Sequence, residues 1–265
     1  MIKAKSIYGE ERVRLNEKPY EFGFICHNFI ALNYAISSLM TKYSKELTKM
    51  EPEELDEYLE RGWFRMQQAI FTTDKIIFND VLYEAVWLRV GLKDFYPDKR
   101  YRELHKKNIR FRTEIKPASV TTDHEALFAR YRQSLSFQSY LSLQDLLLGD
   151  NACNIYNTYM INVYDETELI GTGFFDLGKN SAAGICSVYD PRYKKYSLGR
   201  YMIYEKMFYC KENELTYFYP GYFVPGYGVF DYKLTIGKPA VQYFDIYEKR
   251  WSALSNFSFA GYLYS

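Results

Sequence analysis

Residues 155–219, IYNTYMINVYDETELIGTGFFDLGKNSAAGICSVYDPRYKKYSLGRYMIYEKMFYCKENELTYFY, decide the architecture. The first ten, 155–164, alternate with period two, the mark of a half-buried strand. Asp165-Glu166-Thr167 makes a turn, 168–176 a second strand, Gly178-Lys179-Asn180 a second turn and 182–189 a third strand. The loop DPRYKKYSLG, residues 190–199, leads into a helix on which Leu198, Tyr201, Tyr204 and Phe208 share one face. Residues 215–219 return as a strand. The order is an antiparallel meander, a helix and a further strand.

That order resembles the core of the GNAT-type acyltransferase fold. The expected class is therefore α+β, with a GNAT-like domain over 116–265 and a small α+β domain over 1–115 in front of it. The break at Pro117 marks the division. Upstream of it, Pro52 and EELDEYLERG read as a helix that has Pro in its first turn, acids near its start and Gly62 at its end. Strands are expected around 65–71 and 82–90, and a basic helix from Asp98 to Asn108 followed by a strand, IRFRTEI. Downstream, Thr121-Thr122 caps a helix in which Leu127, Tyr131 and Leu135 recur every four residues, and a short helix covers 140–148.

Composition fits a folded protein of 265 residues: 25% charged, 48% in the AVILMFWYC set, and long enough for one large or two small domains. Lys and Arg total 34 against 33 Asp and Glu, so the chain is no polycation, and nucleic-acid contact has to come from a local patch. Aromatic residues reach 19%, with 28 tyrosines that bring apolar area with a polar tip. Cys26, Cys153, Cys186 and Cys210 show no C-x-x-C spacing, and His27, His105 and His124 lie apart, so no metal site is expected. The N-terminus lacks an apolar signal-peptide core. Residues 22–40 carry no Lys, Arg, Asp or Glu, but His27, Asn28, Asn33, Ser37 and Ser38 interrupt them, so a buried segment is expected rather than a membrane span. A soluble cytoplasmic protein with free thiols follows as the expectation.

Three segments can carry chemistry. The loop 190–200 follows a strand and opens a helix, where free backbone N–H groups attract anions and Gly199 lets a ligand approach closely. Arg192, Lys194, Lys195 and Arg200 add positive charge. An acyl-CoA pyrophosphate loop of the Q/R-x-x-G-x-G/A kind is matched only at Gly199, and a plain strand-to-helix turn with solvated lysines would show the same residues. The stretch 217–233, YFYPGYFVPGYGVFDYK, is a loop whose tyrosine hydroxyls can line a polar pocket or stack on a base, or else a buried tyrosine-rich turn. The segment 99–112, KRYRELHKKNIRFR, sets seven basic residues against Glu103 and suits phosphate contacts or a solvated helix face. No G-x-S-x-G and no thiol-hydrolase signature is present.

Several segments, in order along the chain, resemble the arginyl-tRNA–protein transferase family, including its leucyl-transferring branch. Leu59-Glu60-Arg61-Gly62-Trp63-Phe64-Arg65 is similar to the family's ERGWRRFG, and the basic run ending in Lys106-Lys107-Asn108 to its S-x-x-Q-R-R-x-x-R-R-N. Ser187-Val188-Tyr189-Asp190-Pro191 with Ser197-Leu198-Gly199 resembles S-x-V-Y-x-F-Y-D-P … S-L-G. Tyr217 to Tyr222 with Tyr232-Lys233 resembles Y-Y-L-G-Y-Y-I … M-x-Y-K. Two departures stand out. Where the family carries a C-x-x-C associated with a metal or iron–sulfur centre, this chain reads Leu82-Tyr83-Glu84-Ala85-Val86-Trp87, and Phe230 stands at the family's Met.

The resemblance implies transfer of an amino acid, Arg or Leu, from aminoacyl-tRNA to the N-terminal amine of an acceptor protein, without a cofactor and away from any membrane. An activated ester and an amine of ordinary pKa near 7.7–8.0 need alignment, oxyanion stabilisation and proton return to the ribose oxygen. On that reading Ser197 and the backbone near Gly199 hold the tRNA 3′ end or the oxyanion. Asp190 takes an α-ammonium or orients the loop, and Tyr189 and Tyr222 form pocket walls. Tyr232 and Lys233 make phosphate or proton contacts, and Arg200 binds substrate beside Gly199. Arg100, Arg102, Lys106, Lys107, Lys194 and Lys195 contact tRNA. The competing readings are an acyl-CoA-dependent N-acyltransferase of the same fold, a silent tRNA-binding or adaptor protein, and a Fem-like ligase sharing the donor.

Overall fold

The computed structural model describes residues 49–78, 81–135 and 139–258 and three short strands before them. In chain order the elements are β1 (Ile2–Ala4), β2 (Arg12–Val13), β3 (Ser44–Glu46), α1 (Pro52–Glu60), β4 (Phe64–Met66), β5 (Ala69–Phe71), β6 (Lys75–Phe78), β7 (Val81–Glu84) and β8 (Val86–Gly91). Then come α2 (Lys99–Asn108), β9 (Arg112–Pro117), α3 (Thr122–Gln133), α4 (Leu143–Leu148), β10 (Thr158–Asp165), β11 (Glu168–Leu177) and β12 (Ser181–Tyr189). A 3₁₀ turn (Pro191–Tyr196), α5 (Leu198–Glu212), β13 (Tyr217–Phe223), a second 3₁₀ turn (Gly228–Leu234), β14 (Val241–Asp245) and β15 (Arg250–Ala253) complete the order. The stretch 22–40, with Cys26 and His27, lies outside the described residues. Among those described, no helix is long and apolar enough to cross a membrane.

Eight strands form one sheet in the order β15-β14-β8-β13-β12-β11-β10-β9. β9 to β12 are antiparallel neighbours, and after α5 the chain returns as β13, parallel to β12. The protein is thus α+β with the GNAT-like sequence of meander, helix and parallel return. β12 and β13 pair only over Ser181–Ala183 against Tyr217–Tyr219. Just beyond, the β11–β12 register slips between Phe174 and Phe175, leaving Ile185 out of the ladder. Such a bulge bends its strand, and here it lies where β12 leaves β13. The two strands therefore bound an opening rather than a continuous ladder.

Local chemistry explains the element ends. α1 carries Pro52 in its first turn, and Glu51 and Glu54 form a reciprocal capping box. α3 is capped by Thr121 and His124 in the same reciprocal way. His124 Nδ1 accepts from the Thr121 backbone, while Nε2 lies 3.1 Å from Asn162 Oδ1. Burial pushes the imidazole pKa down, which keeps the ring neutral for both roles. On α5 the buried face comprises Leu198, Tyr201, Met202, Tyr204, Lys206, Met207 and Cys210. Phe208 is only half-buried there, packed on Phe95 and Tyr101.

Three sequence expectations are revised. The strand around 65–71 is a hairpin of β4 and β5, because Gln67 adopts a left-handed φ of 53° at the turn. The strand around 82–90 divides at Ala85, whose amide bonds to the Asp74 carbonyl instead of a ladder. The strand expected at 215–219 is β13, a central strand between β12 and β8, but it runs on to Phe223 through residues read as a loop. Pro220 is tolerated there because the β13–β8 register shifts between Phe218 and Gly221, so its missing N–H is not needed. β8 enters the large sheet between β13 and β14, and the 115/116 division falls inside β9.

One buried group ties the β4–β5 hairpin to the sheet. The Arg65 guanidinium donates to Asp176 Oδ1 at 2.8 Å, Thr158 Oγ1, and the Gln67 and Leu147 carbonyls, and lies over the Tyr156 ring. Arg65 is 3% exposed and Asp176 not at all. Replacing Arg65 by Met leaves an unpaired buried carboxylate and should cost about 3–5 kcal/mol in urea unfolding. Adding Asp176→Asn to that variant should recover part of the loss.

Candidate active site

The opening between β12 and β13 is a cavity of about 840 Å³. Gly184, Ile185, Cys186, Ser187 and Tyr189 line it from β12, Phe218 and Pro220 from β13, and Ser197, Gly199, Arg200, Ile203 and Lys206 from the start of α5. Tyr131, Ser134 and Leu135 close it from α3, Lys194 from the first 3₁₀ turn, and Tyr232 and Lys233 from the second. Its charged lining is Lys194, Arg200, Lys206 and Lys233; none of the lining residues is Asp or Glu.

Asp190 organises the loop from below. It is 1% exposed, caps the 3₁₀ turn, and accepts from Arg130 Nε at 2.8 Å, Arg192 Nε at 3.0 Å and the Arg192 amide at 3.0 Å. Those contacts, the Arg192 guanidinium foremost, hold its pKa down at about 2. Arg192 reaches on to Glu168. Asp190 is not among the cavity-lining residues, and both its oxygens are taken by guanidiniums, so of its two expected roles the geometry displays the loop-orienting one.

The loop then turns sharply. Ser197 sits at the helix N-cap with φ 53° and ψ 45°, a left-handed conformation that a residue with a Cβ adopts at some cost. Its carbonyl accepts from the Arg200 and Tyr201 amides, while its hydroxyl caps nothing. The Leu198 and Gly199 amides lie in the first turn, where α-helical N–H groups have no intrahelical acceptor. Tyr189 stands 3.7 Å from where a Gly199 Cβ would lie, and its ring is 5.4 Å from that of Tyr131. Gly199 thus keeps the floor of the cavity low beside a tyrosine wall.

Lys233 is 5% exposed and donates to the Tyr222 carbonyl at 2.9 Å, with the Tyr222 and Phe230 rings 5.2 Å away. Gly221 makes this possible: its φ is +90°, and a Cβ there would come 3.3 Å from the ammonium. Tyr222 is buried edge-on against Trp87 and stands behind Lys233 rather than in the lining. Tyr232 is in the lining, with Arg200 over its ring at 5.4 Å.

Arg100, Arg102, Lys106 and Lys107 are exposed on α2, away from the cavity lining. The Asn108 amide, at the end of α2, donates to the Tyr196 carbonyl at 3.0 Å, and Phe111 packs edge-on against Tyr196. The basic helix end therefore abuts the turn carrying exposed Lys194 and Lys195, of which Lys194 lines the cavity.

Lys206 went unread in the sequence. It sits four residues after Met202 and four before Cys210, on the apolar face of α5, and a lysine in that row was the available signal. Its Nζ donates to the Phe174 and Cys186 carbonyls at 3.1 Å and lies 3.2 Å from Ser187 Oγ. Full burial pulls its pKa down to about 8.

The family's cysteine-bound centre does not fit the residues present. Among the described residues no three His, Cys, Asp or Glu side chains gather as a metal site needs. Residues 82–87 carry no thiol, and Val86 and Trp87 are buried in the core.

The family model "Arginine-tRNA-protein transferase, C terminus" matches residues 102–250, more than half of the chain. The chain belongs to the arginine-tRNA–protein transferase family. It is an aminoacyltransferase, and the acyl-CoA reading is not favoured. An aspartate/glutamate leucyltransferase of Leptospira interrogans is 27% identical over 72% of this chain and 74% of its own length. One of Campylobacter jejuni is 25% identical over 69% and 77%. A solved FemX structure is 9% identical, covers 69% of this chain and 64% of that one, and has a TM-score of 0.44.

The Asp190 contacts set a pH dependence. A carboxyl held at about 2 instead of the ordinary 3.8 contributes stability that is complete above 3.8 and is lost as pH falls toward 2. Asp190→Asn should flatten that part of a urea-unfolding profile. It should also cut aminoacyl transfer by about 10²-fold, since the loop shifts around the reacting groups.

Proposed function

We propose that the chain moves leucine from aminoacyl-tRNA to the N-terminal α-amine of proteins that begin with Asp or Glu. The cavity lining carries this reading: beside the buried Lys206 it presents three cations, Lys194, Arg200 and Lys233, with no carboxylate, and apolar side chains from Leu135, Ile185, Ile203 and Phe218. An acidic acceptor side chain and the phosphates of the tRNA 3′ end find complementary charge there. An arginyl donor would bring a guanidinium among like charges with no acid to receive it, whereas a leucyl side chain needs only those apolar groups. The names of the two relatives point the same way.

In this reading the tRNA backbone follows Arg100, Arg102, Lys106 and Lys107 to Lys194 and Lys195, and its 3′ end enters beside Ser197 and Gly199. The first-turn amides of α5 stabilise the oxyanion, Arg200 and Lys233 neutralise the acceptor carboxylate or the terminal phosphate, and Tyr189 and Tyr232 are the walls. Tyr222 supports Lys233 through its carbonyl, and Asp190 holds the loop. The transferring unit is the eight-stranded sheet with α3 to α5, so it takes β8 and most of β9 from upstream of the expected 115/116 division. The donor places the reaction in the cytoplasm.

The test uses labelled leucyl- and arginyl-tRNA with peptides beginning in Asp, Glu, Lys or Arg. Label should pass from leucyl-tRNA to the Asp and Glu peptides. Arg200→Glu should raise KM for those peptides about tenfold or more. Transfer of arginine alone, or salt-sensitive tRNA binding without any transfer, would reject the assignment, the second outcome favouring an adaptor. Charge reversal of Lys106 and Lys107 should weaken tRNA binding and flatten its salt slope by about one unit per lost phosphate contact.

A further inference from the structure

We propose that Ser187 and Lys206 form a proton-relay pair in the wall of the cavity, through which the attacking amine loses its proton. The inference rests on the transfer reaction proposed above. Ser187 is half-buried on β12 just past the bulge, and both side chains line the cavity. Lys206 approaches from α5 to 3.2 Å of Ser187 Oγ.

The partner set is the central observation. Two of the three groups around Nζ are backbone carbonyls, which only accept, and the third is a hydroxyl, which can accept or donate. A charged ammonium gives one N–H to each. A neutral amine keeps its two carbonyl bonds and turns its lone pair to the Ser187 O–H. The same geometry therefore serves both protonation states, and the hydroxyl alone reverses. Among the described residues no carboxylate pairs with Lys206; the titratable groups acting on it are Cys186 on β12 and Cys210 on its own helix. Its depressed pKa follows from that uncompensated burial and puts both states within reach near neutral pH.

β11 is shaped for the pair. A Cβ on Gly173 would lie 2.7 Å from Lys206 Nζ and 2.7 Å from Ser187 Oγ, so the two groups meet in space that any larger residue would fill. A structural pin could use one partner; this site clears room for the amine and the hydroxyl together.

The step balances without a further reagent. The acceptor nitrogen bonds to the aminoacyl carbonyl carbon, and its proton passes to Ser187 Oγ as the Ser187 proton passes to neutral Lys206. When the carbon–oxygen bond to the ribose breaks, the proton returns along the same path to the leaving oxygen. No acyl-enzyme forms.

The experiment measures kcat/KM for an Asp-initiated peptide with leucyl-tRNA from pH 5.5 to 9 in the wild type, Ser187→Ala and Lys206→Met. Below pH 7 two protons must be lost in the wild type, one from Lys206 and one from the amine of pKa about 7.7–8.0, so log kcat/KM should climb with slope about two. Both variants should fall by roughly 10²- to 10⁴-fold at pH 8, with slope about one, and keep their affinity for tRNA. Met matches the lysine stem and carries no charge, so Lys206→Met should fold. Wild-type rate in Ser187→Ala, or slope two in either variant, overturns the relay. A second readout needs no transfer: in ¹³Cε-lysine NMR, the signal missing from Lys206→Met should titrate near pH 8, and titration above about 10 would also overturn it. A wild type inert with every charged tRNA, but with that signal near 8, would reject the transfer reading while supporting the switchable pair.

Discussion

β12 and β13 run side by side for three residues and then part, and the functional half of the molecule depends on that separation. A parallel pair that stayed together would fill the sheet and leave no cavity. Parting exposes backbone, and exposed backbone inside a protein has to be satisfied. The bulge at Ile185 begins the departure, and Lys206 supplies N–H donors to the Phe174 and Cys186 carbonyls beside it. The start of α5, with Ser197 forced left-handed, and the 3₁₀ turn holding Tyr232 and Lys233 close the remaining sides. One irregular strand thus sets where the cavity is, how wide it is and which groups face it.

The elements written locally were readable in the chain. The meander shows its period and its turns, and the helices show Pro52, Asp98 and Thr121 at their starts. The family resemblance also survived, because its short motifs recur in order around the loop 190–199. What stayed hidden is non-local. β8 inserts between β13 and β14, strands more than a hundred residues later, and nothing in residues 86–91 names those partners. Pro220 hid how far the central strand runs past Tyr219, since the register shift that excuses it lies in the pairing and not in the sequence. Lys206 looked like one more helical lysine until the helix was docked on the bulge.

Asp190 shows how a residue can be found correctly and still be only half understood from sequence. Its place before Pro191, ahead of a basic loop, marked it as important, and ligand binding and loop anchoring were equally consistent with that. The arginines that decide its surroundings are Arg192, two residues on, and Arg130, sixty residues back on α3. With both oxygens occupied by charged donors, its carboxylate is spent on holding the loop. The same contacts tie α3 to the loop, so the Tyr131 wall and the Ser197 turn keep a fixed spacing across the cavity.

Three of the buried ionic groups, Asp176, Asp190 and Lys206, differ in a way that bears on function. Asp176 has Arg65, and Asp190 has Arg130 and Arg192, so each carries its counter-charge with it. Such pairs are costly to break and hold elements together, and both join segments far apart in the chain. Among the described residues Lys206 has no counter-charge, only carbonyls, a hydroxyl and thiols at a distance. Burying an uncompensated ammonium weakens its hold on the third proton, and a methionine would fill the same space without that penalty. Satisfying the Phe174 and Cys186 carbonyls explains a donor at this position, but stability gives no reason for one that carries an uncompensated charge. A group that can give and take a proton beside the cavity does, and the Gly173 gap that admits both the amine and the Ser187 hydroxyl fits that use.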